Sequence, residues 1–361
     1  MPTVAVDLGN RSYEVLVEPG SLARSGELLA KTGLNGRVAL ISDEVVASFH
    51  AEAALASLNA AGFSPTLHTI PSGESSKSLT HVEELCRSMT RAGHDRKSIV
   101  VALGGGVTGD LAGFVSAIFY RGIPFAQIPT TIVSQVDSSV GGKTGVNIAE
   151  GKNLVGSFHQ PKLVLVDPET LRTLPDREFR EGFAEVIKHA AIRDAAMLDE
   201  LLTLDPDSRD VPADLIARNI AIKARIVEAD EEERSGERAL LNFGHTVGHG
   251  IEASVPYGEM LHGEAISLGL RAAVFLSKKR AGLGETHASK ILGLLAHFRL
   301  PVVLPDAITT DTVLEKLRRD KKFESGKIRF VVLSAAGQAS LTDSITPDDL
   351  REATDHLRTQ P

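Results

Sequence analysis

The segment Ser98-Ile99-Val100-Val101-Ala102-Leu103-Gly104-Gly105-Gly106-Val107-Thr108-Gly109-Asp110 decides the fold. Six residues, almost all apolar, read as a strand buried on both faces, which is the mark of a parallel sheet covered by helices. The glycines that follow satisfy the G-x-G-x-x-G spacing, and Leu111 onward reads as a helix. Such a turn lets backbone approach a pyrophosphate and aims a helix N-terminus at it. A tight turn that binds nothing would also use glycine, but three in a row cost more unfolded-state entropy than packing alone requires. A dinucleotide site is the favoured reading. Its layout is rearranged, because a standard fingerprint opens the first strand and has its acid about 20 residues later. Here the strand-end acid, Asp43, comes earlier; it is placed to grip a ribose or to cap the next helix.

Working outward, Tyr13–Val17, Arg37–Ser42, Thr66–Ile70, Phe125–Pro129 and Leu163–Asp167 read as further strands. The Ala-rich run Glu44–Ala61 and Ser78–Ala92 read as helices stopped by Gly62 and Gly93. Alternation of this kind predicts βαβ units. From Pro175 the texture turns helical, with three- and four-residue apolar spacing in Arg180–Ile192, Leu215–Asp230, Gly263–Ala281 and His287–Phe298. A small hairpin is expected around Ile328–Leu333. The expectation is an α/β Rossmann-like N-terminal nucleotide-binding domain over residues 1–174, and a mainly α-helical C-terminal domain over 175–361 for metal and substrate.

Composition narrows the classes. A net charge of −8 and a pI near 5.9 argue against a general nucleic-acid or membrane-surface binder, while leaving room for a local basic pocket. The single cysteine, Cys86, excludes an internal disulfide framework and fits a reducing cytoplasm. The N-terminus lacks a signal-peptide pattern and no apolar run is long enough to span a bilayer, so a cytoplasmic protein is expected.

Two further clusters carry chemistry. Between Arg121 and Asn153 lie Thr130, Thr131, Asp137, Lys143, Lys152 and Asn153 among glycines and polar turns, which suits an anionic substrate. Gly141-Gly142-Lys143-Thr144 fails as a P-loop, since the first glycine of that pattern would fall at Asp137. In the second half, Glu185, Lys188 and His189 share a helical face. His245 and His249 stand four apart, and His262 and Glu264 follow. A carboxylate with two imidazoles and an open position is the arrangement of a catalytic zinc. Thr246 stands where a zinc protease needs glutamate, so that class is excluded.

Taken in order, Pro71–Lys77, Gly104–Asp110, Tyr120–Gly122, Pro129–Thr131, Asp137–Thr144, Gly151–Leu154, Glu181–Lys188, Asn242–His249 and Leu261–Glu264 resemble the 3-dehydroquinate synthases of the sugar phosphate cyclase family over roughly residues 40 to 330. The resemblance implies that NAD is held by Asp43, by Ser72, Gly73, Glu74, Ser75, Ser76 and Lys77, by Gly104, Gly105, Gly106, Val107, Thr108, Gly109 and Asp110, and by Thr130, Thr131, Lys143, Lys152 and the turn Thr170-Leu171-Arg172-Thr173. It implies Glu185, His245 and His262 as ligands of one divalent metal, zinc or cobalt, which overrides the His245/His249 pairing and leaves His249 facing substrate as a proton shuttle. Arg121, Asp137, Lys143, Lys152, Asn153, Lys188, Lys223, Arg238, Asn242 and a lysine of Lys321-Lys322 would contact substrate. The implied reaction is conversion of 3-deoxy-D-arabino-heptulosonate 7-phosphate to 3-dehydroquinate by an NAD- and metal-dependent lyase of the shikimate pathway. A homodimer is implied, with Arg121 crossing to the neighbouring subunit. The alternatives are a cyclase making 2-deoxy-scyllo-inosose or a valiolone, a metal-dependent polyol dehydrogenase, or a scaffold without activity. Lys223, Arg238, Asn242 and Lys321-Lys322 favour the carboxylate-bearing heptulosonate over the other sugar phosphates.

Overall fold

The computed structural model describes residues 2–256, 258–318, 323–324 and 327–360. In chain order the elements are β1 (Thr3–Val6), β2 (Tyr13–Val17), α1 (Ser25–Ala30), β3 (Arg37–Asp43), α2 (Glu44–Ala60), β4 (Ser64–Ile70), α3 (Leu79–Arg91), β5 (Ile99–Gly104), α4 (Gly106–Ile118), β6 (Phe125–Pro129), β7 (Lys143–Ile148), β8 (Gly151–Phe158) and β9 (Leu163–Val166). Then come α5 (Asp176–Glu181), α6 (Phe183–Arg193), α7 (Ala195–Leu201), α8 (Ala213–Ala229), α9 (His245–Glu252), α10 (His262–Ala281), α11 (Glu285–His297), α12 (Thr310–Arg318), β10 (Phe323–Glu324), β11 (Lys327–Ile328), β12 (Phe330–Ala335), β13 (Gln338–Thr342) and α13 (Pro347–His356). They form two compact units, residues 1–175 with 209–232, and residues 176–208 with 233–361.

The first unit is the expected α/β layer structure. Its seven-stranded sheet runs β1-β2-β9-β6-β5-β3-β4, all parallel except the β1–β2 pair. Alternate residues of the central strands feed two cores. Val38, Leu40, Ile99, Val101 and Leu103 meet α1 and α2 on one face, whereas Ala39, Ile41, Val100 and Ala102 meet α3 and α4 on the other. Each fully buried aliphatic side chain contributes roughly 1.5–3 kcal/mol, which is why β5 tolerates no polar position. From β3 the chain winds to β4 at one edge, then returns to β5 and β6 on the other side. The reversal falls between β3 and β5, and in open α/β sheets ligands bind outside the strand C-termini at such a point. Asp43 and Gly104 are those C-termini.

Two features depart from the sequence reading. The polar, glycine-rich stretch around Lys143 and Lys152 is an antiparallel hairpin, β7–β8, with no long loop. The helix expected over Leu215–Asp230 forms as α8, but it packs in the first unit and not with the C-terminal helices.

The second unit is helical, with the antiparallel hairpin β12–β13 against α10. The expected helix Arg180–Ile192 is split at Gly182 into the end of α5 and α6. From Ala265 to Val274 every residue of α10 is buried, the pattern of a central helix packed on all sides. It crosses α9 through glycine. A Cβ on Gly269 would lie 2.0 Å from the Gly244 carbonyl oxygen and 2.7 Å from the Gly248 nitrogen, so backbone meets backbone there. His245 opens α9 and His262 opens α10, so this crossing sets the separation of the two imidazoles.

Candidate active site

In the first unit the glycine turn is built for close approach. A Cβ at Gly104 would fall 2.6 Å from Thr108 Oγ1, and one at Gly109 would fall 2.6 Å from Gln127 Oε1 on β6. Glycine therefore seats the first turn of α4 against the sheet, and no described side chain caps that helix. Its N-terminal N–H groups and positive dipole end face the strand-end crevice, as an anion site requires. Asp43 caps α2: Oδ1 accepts from Val45 and Val46 backbone N–H at 3.1 and 3.0 Å. Its other oxygen accepts from the Thr108 hydroxyl at 3.4 Å, which ties the cap to the glycine turn. Thr130, just past β6, donates its N–H to Gly104 O, and its buried Oγ1 has no hydrogen-bond partner among the described residues. A buried hydroxyl left unsatisfied at a strand C-terminus fits a ligand that supplies the missing bond. These features suit a dinucleotide.

The cationic residues arrive in pairs. Lys77 Nζ lies 2.5 Å from Asp110 Oδ2; burial pushes the Asp110 carboxyl up, with Lys77 pulling the other way. Lys223 on α8 reaches Asp137, 2.9 Å from Oδ2 and 2.6 Å from the Asp137 carbonyl. Glu74 accepts from Asn147 Nδ2 at 2.8 Å and stands 4.0 Å from Lys152 Nζ, while Asn147 Oδ1 accepts from the Asn153 N–H. The segment 72–77 and the β7–β8 hairpin thus form one surface. Tyr120 and Arg121 both hold left-handed φ values, 49° and 71°, an uncommon conformation for residues with side chains. The turn Thr170–Thr173 is occupied internally: Thr170 Oγ1 accepts from Gln135 and donates to Asp167 O, and Thr173 Oγ1 bonds His50.

In the second unit three helices bring a carboxylate and two imidazoles together. Glu185 on α6 is buried, and its Oε1 lies 3.3 Å from Nε2 of both His245 and His262. Lys188, one turn on, pairs with Glu185 Oε2. Burial works against the charged His262 ring, but Glu185 and Glu252 on either side outweigh it and push it up to about 10. Burial pushes His245 down against the pull of Glu185, and the nearby Lys188 and His262 add to the lowering. One ligand atom from each of Glu185, His245 and His262 can be chosen so that all lie within 4.8 Å of one another, which fits a single divalent cation; a carboxylate with two imidazoles is a zinc-type donor set. The His249 ring sits 5.2 Å from that of His245 and 6.0 Å from that of His262, beside the trio. Arg238 is buried with a carboxylate of Glu233 at 3.9 Å, and Asn242 ends the same short turn. Lys321 and Lys322 lie outside the described residues.

Sequence reading missed two carboxylates. Glu252 meets His262 Nδ1 at 3.3 Å, and Glu181 accepts from the Gly263 N–H. The first was within reach of helical spacing, because 245, 249 and 252 share one face of α9.

The profiles of the N-terminal and C-terminal regions of 3-dehydroquinate synthase match residues 67–181 and 182–323. The chain is 46% identical to a 3-dehydroquinate synthase of Pelobacter propionicus, over 92% of this chain and 93% of that one. The chain belongs to the 3-dehydroquinate synthase family. A second 3-dehydroquinate synthase, from Symbiobacterium thermophilum, is 43% identical over 98% of this chain and 100% of its own. Among solved structures, the 2-epi-5-epi-valiolone synthase of Streptomyces hygroscopicus subsp. jinggangensis, which holds NAD+ and Zn2+, superposes with a TM-score of 0.88 at 30% identity, covering 97% of this chain and 98% of that one. The 3-dehydroquinate synthase relatives are thus nearer in sequence than this paralogous cyclase.

Proposed function

We propose that the chain converts 3-deoxy-D-arabino-heptulosonate 7-phosphate to 3-dehydroquinate and inorganic phosphate, with NAD and one divalent cation, Zn2+ or Co2+, as its cofactors. This is a lyase reaction of the shikimate route to aromatic amino acids. The observation that carries the reading is the Glu185–His245–His262 convergence in a chain of this family. When bound, NAD and the cation together supply reversible hydride storage and Lewis-acid polarisation of a hydroxyl and of the ketone made from it.

The remaining work falls to side chains. Glu185, His245 and His262 hold the cation; Gly104–Gly106, the α4 N-terminus, Asp43 and Thr130 hold the dinucleotide. Arg121, Asp137, Lys143, Lys152, Asn153 and Lys188 contact the substrate, with Lys223, Arg238 and Asn242 serving its carboxylate. The ketone acidifies the neighbouring C–H, phosphate leaves by β-elimination, the ketone is reduced back to the hydroxyl with the hydride first removed, and ring opening with an intramolecular aldol step closes the carbocycle. Those late steps need positioning more than acid–base strength. His249, whose ring lies 5.2 Å from that of His245, passes the proton on this reading.

The enzyme acts as a homodimer in the cytoplasm on this reading. Support for the dimer comes from Ile118 and Tyr120, which leave 44% and 47% of their surface exposed beside the left-handed Arg121. No helix among the described residues is long and apolar enough to cross a membrane. The deciding experiment supplies purified protein with the heptulosonate phosphate, NAD and Zn2+. One phosphate per substrate with no net NADH is expected. Stoichiometric NADH without phosphate release would point to a dehydrogenase and end this proposal.

A further inference from the structure

His262 is held from more directions than a ligand found by motif would suggest. Its main chain is pinned on both sides: Leu261 N–H donates to Glu264 Oε2 at 2.8 Å, and Gly263 N–H donates to Glu181. Neither contact sets the ring, which can still turn about its two side-chain torsions. Glu252, the last residue of α9, does so. Its Oε2 stands 3.3 Å from His262 Nδ1, while Nε2 on the far side of the ring stands 3.3 Å from Glu185.

A neutral imidazole has one donor and one acceptor nitrogen, and a carboxylate only accepts. When a cation replaces the proton on Nε2, Glu252 as acceptor keeps the remaining proton on Nδ1 and so leaves Nε2, on the Glu185 side, as the atom that would hold the cation. The same logic operates at His245, where Nδ1 lies 3.3 Å from the Phe243 carbonyl oxygen and Nε2 again turns to Glu185. One histidine is oriented by a main-chain oxygen and the other by a carboxylate. Carboxylate–histidine–metal relays of this type orient the ring and raise its basicity.

We infer that Glu252 is a positioning residue for the metal centre, acting through His262 and not on substrate; this rests on the reading of Glu185, His245 and His262 as ligands. A competing arrangement is present in the same helices. His249, Glu252 and His262 are also close enough to share a cation, which would then sit on Nδ1 with Glu252 as ligand. The two arrangements differ in which nitrogen of His262 binds.

The test uses full-length protein stripped of metal and titrated with Zn2+ against a chelator. Glu252→Ala is expected to bind zinc about 10–100-fold more weakly, the usual loss when such a partner is removed. Glu252→Gln keeps an acceptor oxygen for Nδ1–H and is expected to stay within about threefold of wild type. Thermal midpoints of the metal-free proteins are expected to agree, which separates orientation from fold damage. Zinc affinity of Glu252→Ala within about threefold of wild type overturns the inference, and so does an equal loss in Glu252→Gln, which would make charge the agent. Should Glu252→Ala fail to fold, ¹⁵N spectra of zinc-loaded wild type decide: Nε2 bound with Nδ1 protonated supports the inference, and Nδ1 bound overturns it. Glu185→Gln separates the two levels of the argument. If it binds zinc as wild type does, the ligand reading itself fails; if only Glu252→Ala does, the positioning role alone fails.

Discussion

Gly269→Ala perturbs the metal site without touching a ligand. The added Cβ would start 2.0 Å from Gly244 O and 2.7 Å from Gly248 N, both on the backbone of the facing segment. An ordinary contact needs 3.4 Å, so the helices must part by about 1.4 Å (3.4 − 2.0) at the crossing, with no flexible side chain to give way. Gly244 immediately precedes His245, and Gly269 lies two turns along α10 from His262, so the displacement is passed directly to the two imidazoles. Metal–ligand distances tolerate about 0.2 Å. Part of the strain will relax elsewhere, but a residual shift near 1 Å still exceeds that tolerance severalfold. Zinc affinity is expected to fall on the order of 100-fold, by analogy with the rate loss for a 1 Å misplacement. Overpacking should cost about 1–3 kcal/mol of stability. The assay is zinc titration of the metal-stripped protein, with denaturant melts alongside. Gly293→Ala is the control: it lies on the exposed face of α11, its Cβ would meet nothing within 4 Å, and it should gain about 0.5–1 kcal/mol with unchanged zinc affinity. Wild-type zinc binding by Gly269→Ala would show that the α9–α10 crossing does not set ligand geometry, and the reasoning would be wrong.

Glu185→Gln should lose metal and activity together while still binding NAD, because no residue of the glycine turn is altered; the check is metal content and NAD titration on one sample, and a variant that keeps its metal refutes the ligand set. The variant also breaks the buried Glu185–Lys188 ion pair, so its stability should fall by up to about 3–5 kcal/mol. A pH effect is expected in the first unit. His68 is buried against Thr66, Ser88 and His94, and burial, with the His94 ring adding to it, pushes it down to about 4. Between about pH 6.5 and 4 the unfolded chain binds a proton that the folded one refuses, so stability is full above 6.5 and is lost as pH falls toward 4. The loss is at most about 3.4 kcal/mol, from 1.36 kcal/mol per unit over the shift from 6.5 to about 4. Urea melts at several pH values measure it, and an identical slope in His68→Asn would remove His68 as the cause.

The parallel sheet was legible because β3, β5 and β9 are apolar on both faces, a pattern that survives without knowledge of neighbours. The β7–β8 hairpin was not. Gly141, Gly142, Gly145, Gly151 and Gly156 mask its alternation, and at Gly156 a Cβ would fall 2.2 Å from the Thr144 carbonyl of the opposite strand. Gly145 and Gly156 serve the close approach of two strands, which a single sequence presents as loop composition. Helix α8 failed differently. Its apolar period was plain, but period says which face is buried and not which unit buries it.

The metal centre shows where spacing stops carrying information. His245 and His249 are four apart on one helix, yet the carboxylate of Glu185 turns to His245 and His262, which open two different helices. What brings those openings together is the absence of side chains at Gly244, Gly248 and Gly269, and what turns the rings is a carbonyl at Phe243 and a carboxylate at Glu252. Of these five residues only Glu252, on the helical face of His245 and His249, is of a type that reads as metal chemistry in a sequence. Two of the five act through the main chain and two others, Gly248 and Gly269, through contacts a Cβ would forbid. The convergence of Glu185, His245 and His262 is therefore a property of a helix crossing, which no spacing along a single helix carries.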